Sequence, residues 1–359
     1  MTNPVKQWIR PEIQALSAYH VAPSAGMVKL DAMENPYHWP KAMVEEWLGI
    51  LRDIHVNRYP DPVSAELKED LKLLMDVDPK YQVILGNGSD ELIQIVSMAL
   101  AMPGRVVMAP EPSFVMYKMI ATFCGMDYVG VPLGEDFVLD LDAMLAAIEE
   151  HQPALVFLAQ PNNPTGNLFE LEPVRSVCQQ APGLVVIDEA YLAFSDRHHL
   201  ALMDEFDNVV IMRTLSKMGL AGLRLGMLFG SKAWVEQFEK VRLPYNINVL
   251  TEASAKFALM HFDVMKAQTQ EIKENRTQLV KALHQLPFEK IWPSQANFIL
   301  ARTPPGKARF IADQLRDAGV LIKCADGAHP QLKDCLRFTV GTADENRLML
   351  QALHAAMSE

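Results

Sequence analysis

From Tyr81 onward, short apolar runs alternate with stretches of helical spacing. YQVIL, RVVMA, DYVGV, ALVFLA, LVVID and NVVIMRT are rich in Val, Ile and Leu and bounded by Gly, Pro, Asn or Asp, which predicts strands. Between them lie segments with apolar residues three and four apart. These predict helices over ELIQIVSMAL, near Phe114 to Phe123, over LDAMLAAIEE, and near Glu170 to Gln180. LRLGMLFG adds one further strand. Strands with no polar face, alternating with helices, point to a mainly parallel sheet covered on both sides.

After about Thr251 the texture changes. One long amphipathic stretch runs to about Leu286, followed by NFILA, a helix near Lys307 to Ala318, VLIK, CLRFTV and a last helix from Ala343 to Met357. Before Tyr81 the periodicity is weak, apart from a helix over about Lys41 to Asp53. The expected organisation is an α/β fold with an N-terminal arm (residues 1–40) that joins the small domain, a large domain (41–255), and a small α+β domain (256–359). A chain of 359 residues exceeds the ~100–200 residues usual for one domain, in keeping with this division.

Composition narrows the function. The net charge of -11 argues against nucleic acid as a partner, because binding phosphates needs clustered Lys and Arg. The four cysteines, Cys124, Cys178, Cys324 and Cys335, form no C-x-x-C pair and read as free thiols of a reducing compartment. No histidine spacing matches a metal site, and His198-His199 reads as a solvated loop pair, so no metal is expected. MTNPVKQWIRPEI lacks the charged-then-apolar pattern of a signal peptide, and no apolar run approaches ~18 residues. The expectation is a cytoplasmic protein outside the membrane.

In open α/β sheets ligands gather beyond the carboxyl ends of the strands, and four such places carry polar groups. Gly86-Asn87-Gly88-Ser89-Asp90-Glu91 follows YQVIL; it reads as a phosphate site at a helix start or as a turn with a capping residue. Gln160-Pro161-Asn162-Asn163-Pro164-Thr165-Gly166 follows ALVFLA; Asn163 offers an amide to a phenolate oxygen, or the segment is a plain turn. Asp188-Glu189-Ala190-Tyr191 closes LVVI. A carboxylate at a buried strand end needs a partner: a ring N–H, a metal or a helix cap. The last, Thr214-Leu215-Ser216-Lys217 through Arg224, sets a lysine among small and apolar residues. Desolvation there would lower its pKa and make it a nucleophile; taken singly, it reads as one more surface lysine.

Taken in this order, PNNPTG, DEAY and TLSK…GLR resemble the fold-type I pyridoxal-phosphate (PLP) aminotransferases. GNGSDE, RYPDP (Arg58 to Pro62), KLDAMENP (Lys29 to Pro36) and CLRFTVGT (Cys335 to Thr342) resemble the histidinol-phosphate branch of that family. The resemblance implies that Lys217 holds PLP as a Schiff base and shuttles the substrate proton. It also implies that Asp188 faces the pyridine nitrogen, that Asn163 and Tyr191 bond the ring O3′, and that Phe114 stacks on the ring. Gly88, Ser89, Asp90, Thr214, Ser216 and Arg224 would surround the phosphate, with Tyr59 reaching the site of a second subunit in a homodimer. Arg337 would take a substrate carboxylate, with Lys323, Tyr19 and Asn35 also on the substrate side. The implied substrates are small molecules: histidinol phosphate, glutamate and 2-oxoglutarate.

Three positions depart from the family's pattern. Phe114 stands where Tyr is common, Met33 where the family has Asn, and Lys323 where many relatives have Arg. Phe114 and Lys323 leave room for an aromatic aminotransferase or a threonine-phosphate decarboxylase of the same fold. A PLP-binding regulator would need a basic DNA-binding segment, and a nucleotide-binding protein would need a Walker A or G-x-G-x-x-G loop. The sequence has neither.

Overall fold

The structure, a computed structural model, describes residues 4–18 and 21–358. Twelve strands form two sheets. The larger holds β2 (Gln82–Asn87), β3 (Val106–Glu111), β4 (Asp127–Pro132), β5 (Leu155–Ala159), β6 (Leu184–Asp188), β7 (Val209–Thr214) and β8 (Leu225–Gly230), in the order β2-β8-β7-β6-β5-β3-β4. β7, β6, β5, β3 and β4 pair in parallel, and β8 runs antiparallel to both its neighbours. The reason is local. The link from β7 to β8 holds only two short 3-10 turns and no α-helix, and a parallel return needs a crossover of a dozen or more residues.

Every residue of β5, β6, β7 and β8 is buried. Alternate residues join different cores: Val156, Leu158, Val185 and Ile187 pack on one face, and Leu155, Phe157, Leu184 and Val186 on the other. This explains why these strands read as unbroken apolar runs.

The second sheet holds β1 (Val28–Leu30), β9 (Lys290–Ile291), β10 (Phe298–Arg302), β11 (Val320–Cys324) and β12 (Cys335–Thr339), in the order β1-β11-β12-β10-β9. β1 pairs with β11 in parallel, Val28 opposite Val320, so the N-terminal segment is part of this sheet. The stretch expected to run unbroken from Thr251 to Leu286 is two helices, Val249–Met260 and Phe262–Leu283. The break falls at His261, whose φ of -111° and ψ of 32° are not helical. In the longer helix Met265 packs in the large-sheet core, whereas Ile272, Leu279 and Leu283 pack in the small-sheet core. One rigid rod therefore ties the two sheets together.

Two helices of eight residues or more went unread in the sequence, Ala65–Leu74 and Lys232–Glu239. Both carry a usable signal: Leu67 with Leu71, and Val235 with Phe238, are buried pairs at helical spacing. The last helix, Ala343–Met357, begins on a reciprocal cap. Thr342 Oγ1 accepts from the Glu345 N–H at 3.2 Å, and Glu345 Oε2 accepts from the Thr342 N–H at 2.8 Å.

Candidate active site

The carboxyl ends of β2, β3, β5, β6 and β7 open on one cavity, the usual place for a ligand in such a sheet. Its walls include Lys217, Asp188, Tyr191, Asn163, Phe114 and Arg224, with Ser89, Asp90, Thr214 and Ser216 beside them. These residues come from five separate places in the sequence, and the sheet brings them together.

Lys217 follows β7 on a 3-10 turn. Its Nζ donates to the Ala32 carbonyl at 3.3 Å and lies 5.7 Å from the centre of the Tyr191 ring. Burial, with the Arg337 charge nearby, pulls its pKa down to about 8. A lysine in this state supplies a neutral amine near neutral pH.

Asp188 ends β6 and is 4% exposed. Its Oδ1 accepts from the Ala190 N–H at 3.0 Å and its Oδ2 from the Tyr117 hydroxyl at 2.7 Å. Burial pushes its pKa up to about 6, and those two hydrogen bonds restrain the rise. A folded pKa above the ~3.9 of the unfolded chain gives a stabilisation that is whole below pH ~4 and lost as the pH rises through about 6. Asp188→Asn apoprotein is therefore expected to lack this decline and to melt higher than wild type at pH 7–8. Thermal melts between pH 4 and 8 check it; parallel curves for the two proteins would contradict the assignment.

A chain of polar contacts joins the two sheets. Asn163 donates from Nδ2 to the Tyr191 oxygen at 3.2 Å, and its Oδ1 accepts from Arg337 Nη1 at 2.6 Å. Arg337 also donates from Nη2 to the Asp31 carbonyl at 2.8 Å and lies over the Phe298 ring, 5.4 Å from its centre. Asn35 bonds Gln268 at 2.9 Å and the Met218 carbonyl at 3.1 Å, next to Lys217. Met33, at the position where the family has Asn, takes a left-handed φ of 53° and lines the cavity. Its backbone is held on both sides, N–H to Thr339 Oγ1 at 3.1 Å and carbonyl from Asn297 Nδ2 at 3.0 Å.

At the other end of the cavity, Gly88 opens the helix Gly88–Leu100 with a φ of 78°. A Cβ at that position would stand 2.5 Å from Arg224 Nη2, so the guanidinium would have to shift, and the positive φ itself favours glycine. Arg224 rests on Asp90, 3.3 Å away. The hydroxyls of Thr214 and Ser216 lie 2.9 Å apart. A helix start, two hydroxyls and an arginine thus gather at this end of the cavity, groups of the kind that can hold a phosphate.

Two expected residues lie elsewhere, and a third is not placed. Tyr59 is 81% exposed and stacks on Tyr245, ring centres 4.6 Å apart. Lys323 is exposed on β11, directly opposite Arg337 of β12. Tyr19 lies outside the described residues.

The reading of His198-His199 as a solvated pair needs correction. His198 is exposed, but His199 is buried, with its Nδ1 3.0 Å from Glu189 Oε1. Glu189 Oε2 accepts from Arg213 Nε at 2.7 Å, and Arg213 donates again to the Met75 carbonyl at 3.0 Å. Burial would push the Glu189 carboxyl up, but His199 and Arg213 together hold it below its ordinary range. The trio ties the loop after β6 to the end of β7. Only part of it was legible beforehand: Glu189 sits in the DEAY motif, while Arg213 reads as part of a strand.

The buried lysine, carboxylate and phenol gathered at the strand ends sit on the architecture of a fold-type I PLP-dependent aminotransferase. The pattern of aminotransferase classes I and II matches residues 25–353, and the chain belongs to that family. It is 55% identical over 98% of its length to histidinol-phosphate aminotransferase 2 of Nitrosococcus oceani, covering 98% of that protein. To histidinol-phosphate aminotransferase of Chromobacterium violaceum it is 50% identical over 97% of its length and 98% of the relative's. The crystal structure of histidinol-phosphate aminotransferase from Sinorhizobium meliloti in complex with pyridoxal-5'-phosphate superposes with a TM-score of 0.88 at 27% identity, covering 98% of each chain. The cofactor is PLP, and the residues present fit it.

Proposed function

We propose that this enzyme transfers an amino group between L-histidinol phosphate and 2-oxoglutarate in histidine biosynthesis, working in the cytoplasm as a homodimer. The 55% identity to a histidinol-phosphate aminotransferase over nearly the whole chain carries the substrate assignment. Among the described residues no helix is long and apolar enough to cross a membrane. The chain divides into an arm (1–40), a large domain (41–255) and a small domain (256–359).

When bound, the cofactor supplies an electron sink for the bond broken at the substrate's α-carbon. The chain's own residues do the rest. Lys217 Nζ would take the proton from that carbon, a general-base role worth ~10²–10⁴ in rate. Asp188 stays ionised opposite the pyridine nitrogen and keeps it protonated. Asn163 and Tyr191 fix the ring oxygen, and Phe114 covers the ring face. Gly88, Ser89, Thr214, Ser216 and Arg224 hold the cofactor's phosphate, with Asp90 steering Arg224 beside them. Arg337 grips the α-carboxylate of glutamate as a planar fork. Lys323 answers the phosphate of histidinol phosphate, and Asn35 and Tyr19 complete the substrate side.

Tyr59, outward on the subunit and backed by Tyr245, reaches the partner's phosphate site. The exposed Val56 and Leu243, each 72% accessible, support an interface there. Sedimentation at micromolar concentration should give twice the chain mass.

The direct test is the visible absorbance of the PLP-loaded enzyme with either amino donor. Histidinol phosphate should bleach the visible band quickly and L-phenylalanine slowly; the reverse order would assign the enzyme to aromatic amino acids. Two variants separate the anion contacts. Arg337→Lys loses a charge-assisted fork worth ~1.5–3 kcal/mol and should raise KM for glutamate roughly tenfold to a hundredfold. Lys323→Ala should raise KM for histidinol phosphate severalfold and leave that for glutamate nearly alone. Equal changes for both donors in Lys323→Ala would refute its role.

A further inference from the structure

Tyr117 was not singled out in the sequence, yet it touches two residues of the site at once. It lies in the first turn of the helix Met116–Phe123 and is fully buried. Its ring stacks on Phe157 of β5, centres 4.4 Å apart and planes 2° apart. The same ring meets Phe114 edge-on at 5.6 Å and 87°. Its hydroxyl donates to Asp188 Oδ2 at 2.7 Å.

Packing alone does not call for that hydroxyl, since phenylalanine would stack on Phe157 and meet Phe114 equally well. A buried hydroxyl is costly unless bonded, and Asp188 is the hydrogen-bond partner this one has. The Ala190 N–H holds the other carboxylate oxygen at 3.0 Å. Each oxygen thus has one fixed donor on a different element, so the carboxylate cannot turn about its last bond without breaking one of them.

We propose that Tyr117 is a positioning residue of the cofactor site. Its hydroxyl fixes the plane of the Asp188 carboxylate that meets the pyridine nitrogen, and its ring edge fixes Phe114 against the cofactor's face. The inference rests on the PLP reading above. Other ionisable groups near Asp188 are Asp90 from the helix after β2, Glu189 and Tyr191 from its own loop, and Lys217 from the loop after β7. Tyr117 alone among the side chains donates to the carboxylate in the hydrogen bonds seen among the described residues.

The test is a double-mutant cycle of Tyr117→Phe and Asp188→Asn, read without turnover. The readouts are the PLP dissociation constant and the melting temperature of the apoprotein from pH 4 to 8. Tyr117→Phe is expected to weaken PLP binding roughly tenfold, the size of one hydrogen bond to a charged group. It should also move the pH midpoint of the Asp188-linked stability loss upward, because the carboxylate has lost a donor. In the Asp188→Asn background the same substitution should change neither quantity. An equal loss in both backgrounds, or none in either, overturns the proposal. If Tyr117→Phe does not fold, 3-fluorotyrosine in place of tyrosine makes the phenol a stronger donor. It should then lower the midpoint in the Asp188 protein and leave Asp188→Asn unaffected; no movement overturns the proposal. A wild-type protein that bound no PLP would instead sink the functional reading itself.

Discussion

Lys217→Ala should lower turnover of histidinol phosphate with 2-oxoglutarate at least about a thousandfold, since one side chain supplies both the cofactor's attachment and the general base. PLP is still expected to bind, through the phosphate cradle, Asp188 and Asn163, with an altered visible spectrum. Small added amines should restore part of the rate, because the variant leaves space where Nζ stood. More than a tenth of wild-type turnover would sink the assignment of Lys217. A second consequence concerns the protein without cofactor. The folded pKa of about 8 lies below the ~10.4 of the unfolded lysine, so the stability this group contributes is present at high pH and lost as the pH falls through about 8. Lys217→Met apoprotein should accordingly melt higher than wild type at pH 7, with the gap closing toward pH 10. Thermal melts at both pH values check this.

The largest effect on folding is expected at Arg213. The side chains of Glu189 and His199 are fully buried, and that of Arg213 is 4% exposed. Removing one partner of a buried ion pair leaves the other charge uncompensated, at about 3–5 kcal/mol. Arg213→Ala should therefore lower the apparent melting temperature by roughly 5–10 °C. Glu189 itself is held below its ordinary range, so the stability it contributes is present above pH ~4.3 and lost as the pH falls further. Glu189→Gln should blunt acid unfolding below pH 4. A change of under 2 °C in Arg213→Ala would mean that water reaches the carboxylate when the guanidinium is gone.

The residues legible in the sequence were polar groups at the ends of apolar runs. Asp188, Asn163, Lys217 and Gly88 stand where a strand stops, and a sheet gathers strand ends, so their convergence followed from the pattern once the sheet was inferred. Tyr117 and His199 were not legible for the opposite reason. Tyr117 sits inside a helical pattern and reads as core, and only the fold brings its hydroxyl to Asp188. His199, beside a second histidine in a polar stretch, reads as solvated, and only the buried Glu189 draws it inside. Similarly, β1 is three residues long and has no strand signal of its own; its pairing with β11 defines it. The antiparallel course of β8 was readable in principle from the short link before it, but its composition matches its parallel neighbours.

The pairing of Val28 with Val320 bears on how the chain matures. β1 is synthesised long before β11, the strand it pairs with. The large sheet lies wholly between them in sequence and can form earlier. The two carbonyls that touch Lys217 and Arg337, those of Ala32 and Asp31, come just after β1. They reach their places when this distant pairing closes, a step slowed by the entropy of bringing together segments far apart in sequence. Competence for catalysis should thus appear late in folding, after most secondary structure is in place, and a chain cut short before β11 would carry a formed lysine loop with no ceiling over it.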